Sequence, residues 1–302
     1  MVTTTWSALI GGSAPIAGPA ALTIGTFDGI HLGHREILRQ LKVRAEHLGR
    51  GGGHAASCVV LTFRQHPRAV LTGRHPGNLT TQRQRHAQFA AVGVTHLVMI
   101  DFSAGFSRLT GREFVAALCS GMALQTLVVG GDFRCGRGRD TDVSELQRLL
   151  APAGVRVEAV PPVIAGGSAV SSTRIRAAVR DGDFALTQDM MGRPFEVDLR
   201  PAGSGMDSRG ITLAELGIPG ERAFAVAVDL LEQVLPKPGS YSVSAVFPDG
   251  APVSTVAEVT ADQISAALPE RIREIPAALR FHRRLERRLP GGIQATSSIQ
   301  EK

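Results

Sequence analysis

Gly25-Thr26-Phe27-Asp28-Gly29-Ile30-His31-Leu32-Gly33-His34 lies between the apolar run Ala20 to Ile24 (AALTI) and helical spacing over Leu32 to Leu48, so it reads as a strand turning into a helix. The first N–H groups of a helix have no intrahelical acceptor and sit at the positive end of its dipole. Glycines beside them let the backbone approach a ligand closely, which suits an anion such as a phosphate. His31 and His34 fall on one face of the first helical turn and add side-chain donors. An ordinary glycine-rich turn with exposed histidines would carry the same residues. A zinc site would need a third and usually a fourth ligand, and no Cys or His cluster is spaced to supply them, so no metal ligand is assigned.

Working outward, apolar β-branched runs recur at CVVLTF (58–63), HLVMI (96–100), LVVG (127–130) and VRVEAV (155–160). Between them, Thr81 with Gln84, Thr110 with Glu113 and Asp142 with Glu145 match helix-start boxes. Strands alternating with helices predict an α/β fold, with right-handed crossovers and a parallel sheet covered on both faces. Ligands in such folds bind beyond the carboxyl ends of the strands, so the strand-to-helix loops are the places to search. After Arg193-Pro194 the alternation stops. Short runs such as AFAVAVDLL (223–231) and YSVSAVF (241–247) then predict an antiparallel β unit. Arg280 to Arg288 (RFHRRLERR) holds five arginines and is expected to be a solvated helix face.

The 302 residues suffice for one large or two medium domains, and 43% hydrophobic with 20% charged content is globular. The net charge of +6 belongs to the first part: residues 1–193 carry 21 basic against 13 acidic residues. That excess attracts phosphorylated small molecules and nucleic acid alike. Cys58, Cys119 and Cys135 show no paired or metal-like spacing, which fits a reducing cytoplasm. The first residues show no basic segment ahead of an apolar run, and neither a signal peptide nor a membrane span is expected.

Three further loops could carry chemistry. Gly131-Asp132-Phe133-Arg134-Cys135-Gly136-Arg137-Gly138-Arg139 follows the LVVG run and joins flexible backbone to three arginines and a carboxylate, a pattern a basic surface loop could also have. Val170 to Arg176 reads as a second helix start with converging hydroxyls, although Ser and Thr are ordinary N-caps. Thr62-Phe63-Arg64-Gln65-His66-Pro67 follows the second apolar run and could line the same sheet edge.

Together, GTFDGIHLGH, TFRQHP (62–67), GGDFRCGRGR (130–139), SSTRIR (171–176) and MGRPF (191–195) closely resemble, in this order, the adenylyltransferase module of the bacterial FAD synthetases. Those proteins usually fuse FMN adenylyltransferase to riboflavin kinase. The His-x-Gly-His part is shared with the wider nucleotidyltransferase superfamily. The flavin assignment therefore leans on Asp132-Phe133-Arg134, Ser172-Thr173 and Gly192-Arg193-Pro194. Cys135 stands where the family usually has Phe.

The resemblance implies a Rossmann-like nucleotidyltransferase domain over residues 1–193, a smaller β-rich domain resembling a degenerate riboflavin-kinase barrel over 194–289, and a tail over 290–302. It implies that ATP and FMN give FAD and pyrophosphate. His31 and His34 would contact the ATP phosphates, and Ser172 and Thr173, with Arg176 nearby, would hold phosphate oxygens. Gly25, Thr26, Phe27, Asp28, Gly29 and Gly33 would form the turn; His66, Pro67, Asp132, Phe133, Arg134 and Gly136 would help place nucleotide and flavin. Magnesium would bridge the triphosphate largely through water. ATP and FMN are thus the expected partners, with no membrane or nucleic acid expected and the number of subunits left open.

The family's kinase part carries a Gly-Phe-Pro-Thr-Ala-Asn segment whose Thr and Asn serve magnesium and ATP phosphates. By the resemblance, Gly217-Ile218-Pro219-Gly220-Glu221-Arg222 occupies its place, with Gly220 for Thr and Arg222 for Asn. Losing both oxygen ligands, and placing a permanent cation at a magnesium site, argues against kinase chemistry. Glu258 would match the kinase's catalytic Glu. An adenylyltransferase alone leads; a complete bifunctional enzyme and a flavin- or nucleotide-binding regulator remain as alternatives.

Overall fold

In a computed structural model, which describes residues 1–52, 55–200, 211–215, 221–272 and 274–285, six parallel strands form one sheet. They are β1 (Val2–Thr5), β2 (Ile16–Ile24), β3 (Ser57–Phe63), β4 (His96–Ile100), β5 (Met122–Gly130) and β6 (Arg156–Val160), in the order β1-β4-β3-β2-β5-β6. The chain winds outward from β2 in one direction through β3 and β4, and in the other through β5 and β6. The strand order reverses between β2 and β5, and the carboxyl ends at such a switch point are the place where doubly wound sheets bind ligands. The turn at residues 25–31 leaves β2 and the loop at 131–139 leaves β5, so this topology sets them side by side.

The strands alternate between two cores. Leu22, Leu61, Val98 and Leu127 enter one, with Trp6, Phe114, Leu118, Leu146 and Leu150. Ala21, Val60, Leu97 and Val128 enter the other, with Phe27, Leu38, Leu41 and Phe89. The first layer comes from α1 (Trp6–Ile10), α5 (Gly111–Gly121) and α6 (Val143–Leu150); the second comes from α2 (Leu32–Gly52) and α4 (Gln82–Val92), while α3 (Pro67–Thr72) buries no residue. Coverage on both faces explains why the four inner strands, β2 to β5, read as largely apolar runs.

The expected helix starts at residues 110 and 142 are formed. Thr110 and Glu113 make a reciprocal capping box, and Asp142 accepts from the Glu145 N–H at 3.0 Å, each worth about 1 kcal/mol. The helix expected after Thr81 is also formed, as α4, and the Thr81 hydroxyl donates to Asp198 at 3.1 Å. The first strand and helix were not expected. Val-Thr-Thr-Thr is too polar to read as a core strand, and it forms an edge strand beside β4.

The described chain divides into two units, Met1–Pro76 with Gln82–Ser171, and Gly77–Thr81 with the chain from Ser172 onward. The small hairpin β7 (Ile164–Ala165) and β8 (Ser168–Ala169) belongs to the first unit. In the second, α7 (Ser172–Asp181) and α8 (Phe184–Met191) precede a seven-stranded sheet of β9 (Phe195–Asp198), β10 (Ile211–Glu215), β11 (Glu221–Ala227), β12 (Gly239–Val246), β13 (Val253–Val259), β14 (Gln263–Pro269) and β15 (Ala278–Arg284). All its pairings are antiparallel, in the order β10-β11-β14-β13-β12-β15-β9. Its core stacks Phe184 on Phe281 at 5.0 Å, with Tyr241 edge-on to Phe184 at 5.8 Å.

One expectation is corrected here: residues 280–284 of the arginine run are strand, not helix. Leu279 and Phe281 are buried while Arg280 and His282 point away, a period of two that the density of charge had obscured. Arg280 pairs with Glu196 of β9 at 2.8 Å. Residues 286–288 lie outside the described residues.

Candidate active site

The turn between β2 and α2 carries three positive φ angles within four residues, Phe27 at 49°, Gly29 at 84° and Ile30 at 35°. Glycine adopts this region readily, whereas Phe and Ile do so only when their surroundings compel them. Both side chains are buried, and the Ile30 N–H closes the turn on the Phe27 carbonyl at 3.3 Å. Gly25 leaves room for the Phe27 ring, since a Cβ there would lie 3.1 Å from it, a tight approach. Asp28 is buried as well.

His31 is the N-cap of α2: its carbonyl accepts from the Arg35 N–H at 2.8 Å, and its Nδ1 accepts from the His34 N–H at 3.4 Å. An accepting Nδ1 puts the proton of the neutral ring on Nε2. The His31 and His34 rings stack with centroids 3.7 Å apart and 17° between planes. Two cations cannot share that spacing cheaply. Burial first, and the charge of His31 second, hold the His34 pKa well below the usual imidazole value. Among the described residues no hydrogen-bond partner reaches the buried Nδ1 of His34. Gly33 leaves the His31 ring its room, since a Cβ there would come within 3.3 Å of it.

The surroundings hold this turn in place through Thr62, from the loop expected to line the same sheet edge, and through Arg85 and Phe89, which the sequence reading missed. The Thr26 carbonyl accepts from Arg85 Nη1 of α4 at 3.0 Å and from Thr62 Oγ1 at the end of β3 at 3.3 Å. The Phe27 ring meets Phe89 of α4 edge-on at 5.6 Å and His34 at 5.1 Å. Arg85 lies in the polar run QRQRHAQ, which reads as solvent face, yet it is only 9% exposed.

The loop after β5 is built from its own backbone. Phe133 N–H bonds to Gly130, and Cys135 and Thr141 exchange two backbone hydrogen bonds. Asp132 and Arg134 are exposed, and Arg134 faces Asp142 at 3.9 Å. Phe133 and Cys135 pack against the first core, and burial pushes the Cys135 thiol up to about 12, so it is an inert packing group. Gly136 adopts φ 80° where a Cβ would strike Asp140. After β3, His66 caps α3 by accepting from the Arg68 N–H at 3.1 Å, with Pro67 in the first turn.

Ser172 and Thr173 open α7 in the second unit, as their reading as a helix start requires. Arg176, one turn on, is buried, and its Nε donates to the Gly77 carbonyl at 2.8 Å. Arg193 Nη1 returns to the Met191 carbonyl at 3.4 Å, after the left-handed Gly192 that ends α8. In the kinase-like segment, Gly217 to Gly220 lies outside the described residues, Arg222 sits on β11 opposite Leu268 of β14, and Glu258 of β13 accepts from Ser240. Among the described residues no group of three or more His, Cys, Asp or Glu could hold a metal ion, and no helix is long and apolar enough to cross a membrane.

A doubly wound parallel sheet, with stacked histidines at a glycine-rich helix start beside its switch point, has the build of a nucleotide-handling α/β enzyme of the nucleotidyltransferase class. The chain belongs to the FAD synthetase family, whose profile matches residues 14–174. The FAD synthetase of Listeria monocytogenes is 33% identical over 181 residues, 59% of this chain and 70% of that protein. The bifunctional riboflavin kinase/FMN adenylyltransferase of Escherichia coli K12 is 31% identical over 248 residues, 82% of this chain and 74% of that protein. In fold, the chain is similar to a crystal structure described as a macrolide-efflux protein from Streptococcus pneumoniae. The TM-score is 0.69 at 24% identity, over 90% of this chain and 95% of that one.

Proposed function

We propose that this protein transfers the adenylyl group of ATP to FMN, giving FAD and pyrophosphate, and that it does not phosphorylate riboflavin. An FMN phosphate oxygen attacks the α-phosphorus of ATP in line. The new phosphoanhydride bond forms as the bond to the β-phosphate oxygen breaks, and pyrophosphate leaves with that electron pair. The nucleophile is already an anion, so no general base is needed. The protein's task is to position the reactants and stabilise charge.

The observation that carries this reading is the stacked pair of His31 and His34 at a strained helix start, with a buried His34 nitrogen that finds no partner among the described residues. His31 donates from Nε2 to a phosphate oxygen, and His34 stabilises charge on the transferring and leaving phosphates. Ser172 and Thr173 present hydroxyls and first-turn N–H groups to phosphate oxygens, and Arg176 adds positive charge one turn along. Asp132, Phe133, Arg134 and Gly136 place nucleotide and flavin, with His66 and Pro67 at the neighbouring strand end. Magnesium belongs to the MgATP substrate, which needs few protein ligands. Residues 1–193 carry this activity, in a cytoplasmic enzyme.

The absence of kinase activity rests on Gly220 and Arg222 in place of oxygen ligands. The E. coli relative's match over 248 residues reaches beyond the first 193 residues and supports the second reading, a complete bifunctional enzyme. One assay separates the two. Purified protein is incubated with ATP, magnesium and either FMN or riboflavin, and the flavins are resolved chromatographically. FAD from FMN with no product from riboflavin is expected; FMN or FAD from riboflavin would establish the bifunctional reading, and no FAD from FMN would sink the proposal.

A further inference from the structure

We propose that Arg85 and Phe89 of α4 are positioning residues that hold the histidine turn in its working conformation. This rests on the adenylyltransferase reading for its catalytic consequence, though not for its geometry. The two side chains are four residues apart, hence on one face of α4. Arg85 Nη1 holds the Thr26 carbonyl at 3.0 Å, immediately before the strained Phe27, and Phe89 holds the Phe27 ring edge-on at 5.6 Å. Phe27 touches the His34 ring at 5.1 Å, and His34 stacks on His31 at 3.7 Å. A continuous line of contacts therefore runs from α4 to both imidazoles.

The turn needs such support because Phe27 and Ile30 occupy a left-handed backbone region that non-glycine residues keep only where the surroundings over-determine it. Thr62 Oγ1 also reaches the Thr26 carbonyl, but at 3.3 Å and as a neutral donor, whereas Arg85 brings a charged one. Without Arg85 and Phe89, the Thr26 peptide is free to rotate toward an unstrained geometry. The imidazoles then lose their fixed placement, while the loop after β5, which is built from its own backbone hydrogen bonds, keeps its shape.

The test compares Arg85→Met, Arg85→Lys and Phe89→Leu with the wild-type full chain. Two readouts are taken: the imidazole NMR signals of His31 and His34, and steady-state FAD formation. Arg85→Met should shift both histidines' signals and lower kcat by roughly 10–100-fold, the scale of lost positioning, with KM for FMN within about twofold. Arg85→Lys, which keeps a charged donor, should recover most of the loss, and Phe89→Leu should show a smaller effect on the same signals. Wild-type histidine signals in Arg85→Met would overturn the proposal, as would full activity there alongside a His34→Ala variant that has lost it. Should Arg85→Met fail to fold, Phe89→Leu decides on the same readouts. Wild type inactive with FMN would defeat the adenylyltransferase reading alone, and the NMR comparison would still decide this one.

Discussion

The imidazoles of His31 and His34 stack at 3.7 Å with 17° between their planes, and the Nδ1 of the first accepts the backbone N–H of the second. One ring thereby caps the helix and fixes the orientation of both. Burial first, and the neighbouring His31 second, keep His34 neutral to a lower pH than an ordinary imidazole.

Replacing His31 removes a cap and a phosphate donor together, and two substitutions separate them. His31→Ala should lower FAD formation by about two to three orders of magnitude, as loss of a transition-state contact does, and cost about 1 kcal/mol of stability through the lost cap. His31→Asn keeps the cap and should restore the stability without the activity. Steady-state rates with denaturant melts check both; a His31→Ala enzyme of near-normal rate removes this residue from the mechanism.

The low pKa of His34 predicts a pH dependence with a definite sign. Below the ordinary value of 6.5 the unfolded chain takes up a proton that the folded chain refuses. Stability is therefore full above that pH and falls as pH drops from it toward the folded pKa, by up to about 1.4 kcal/mol per pH unit for one proton. A His34→Gln variant should show a shallower decline in urea melts between neutral pH and pH 5. ATP binding near pH 6 should also take up protons, since the triphosphate favours the imidazolium. Calorimetry in buffers of different ionisation enthalpy measures this, and equal heats would contradict it.

Gly136→Ala should be among the most damaging substitutions in the β5 loop. At φ 80° its Cβ would lie 2.0 Å from Asp140 Oδ1 and 2.4 Å from the Gly111 nitrogen. The Asp140 carboxylate would be driven off the Gly111 N–H, which it accepts at 3.1 Å at the start of α5. A loss of about 2–4 kcal/mol is expected, with weakened flavin binding as Phe133 shifts. Urea melts and FMN titration test this; wild-type values in both would show that the loop yields easily.

Gln233 holds three backbone groups of the second unit. Its Oε1 accepts from the Asp198 N–H at 2.6 Å, and its Nε2 donates to the carbonyls of Leu79 at 2.9 Å and Glu196 at 2.8 Å. Gln233→Leu, similar in size, leaves buried groups without these partners and should cost about 2–4 kcal/mol. Limited proteolysis within residues 77–81, together with melts, would reveal it; an unchanged protease pattern and midpoint would refute it.

How far the sequence could be read depended on how local the signal was. The β2 to β5 runs were legible because their apolar stretches are nearly continuous, as burial on both faces of a parallel sheet requires, and the edge strand β6 from its alternating valines. Caps at Thr110 and Asp142 were legible because a box spans four residues. The strand of Arg280 to Arg284 was misread because its buried partners, Leu279 and Phe281, alternate with charges on a face that only the sheet defines. Arg85 was invisible for a related reason: its acceptor, the Thr26 carbonyl, lies far away in the chain and has no side-chain signature.

The amino-acid order alone therefore determined the α/β alternation, the glycine-rich helix start with its two histidines, the change of texture near residue 194 and the family resemblance. All of these are properties of neighbours along the chain. The tertiary structure decided the strand order that puts the histidine turn and the β5 loop at one switch point, the burial that, with the neighbouring His31, lowers the His34 pKa, and the hold of Arg85 and Phe89 on the turn. Those depend on groups brought together across long loops, where distance and burial, not sequence spacing, set the energies.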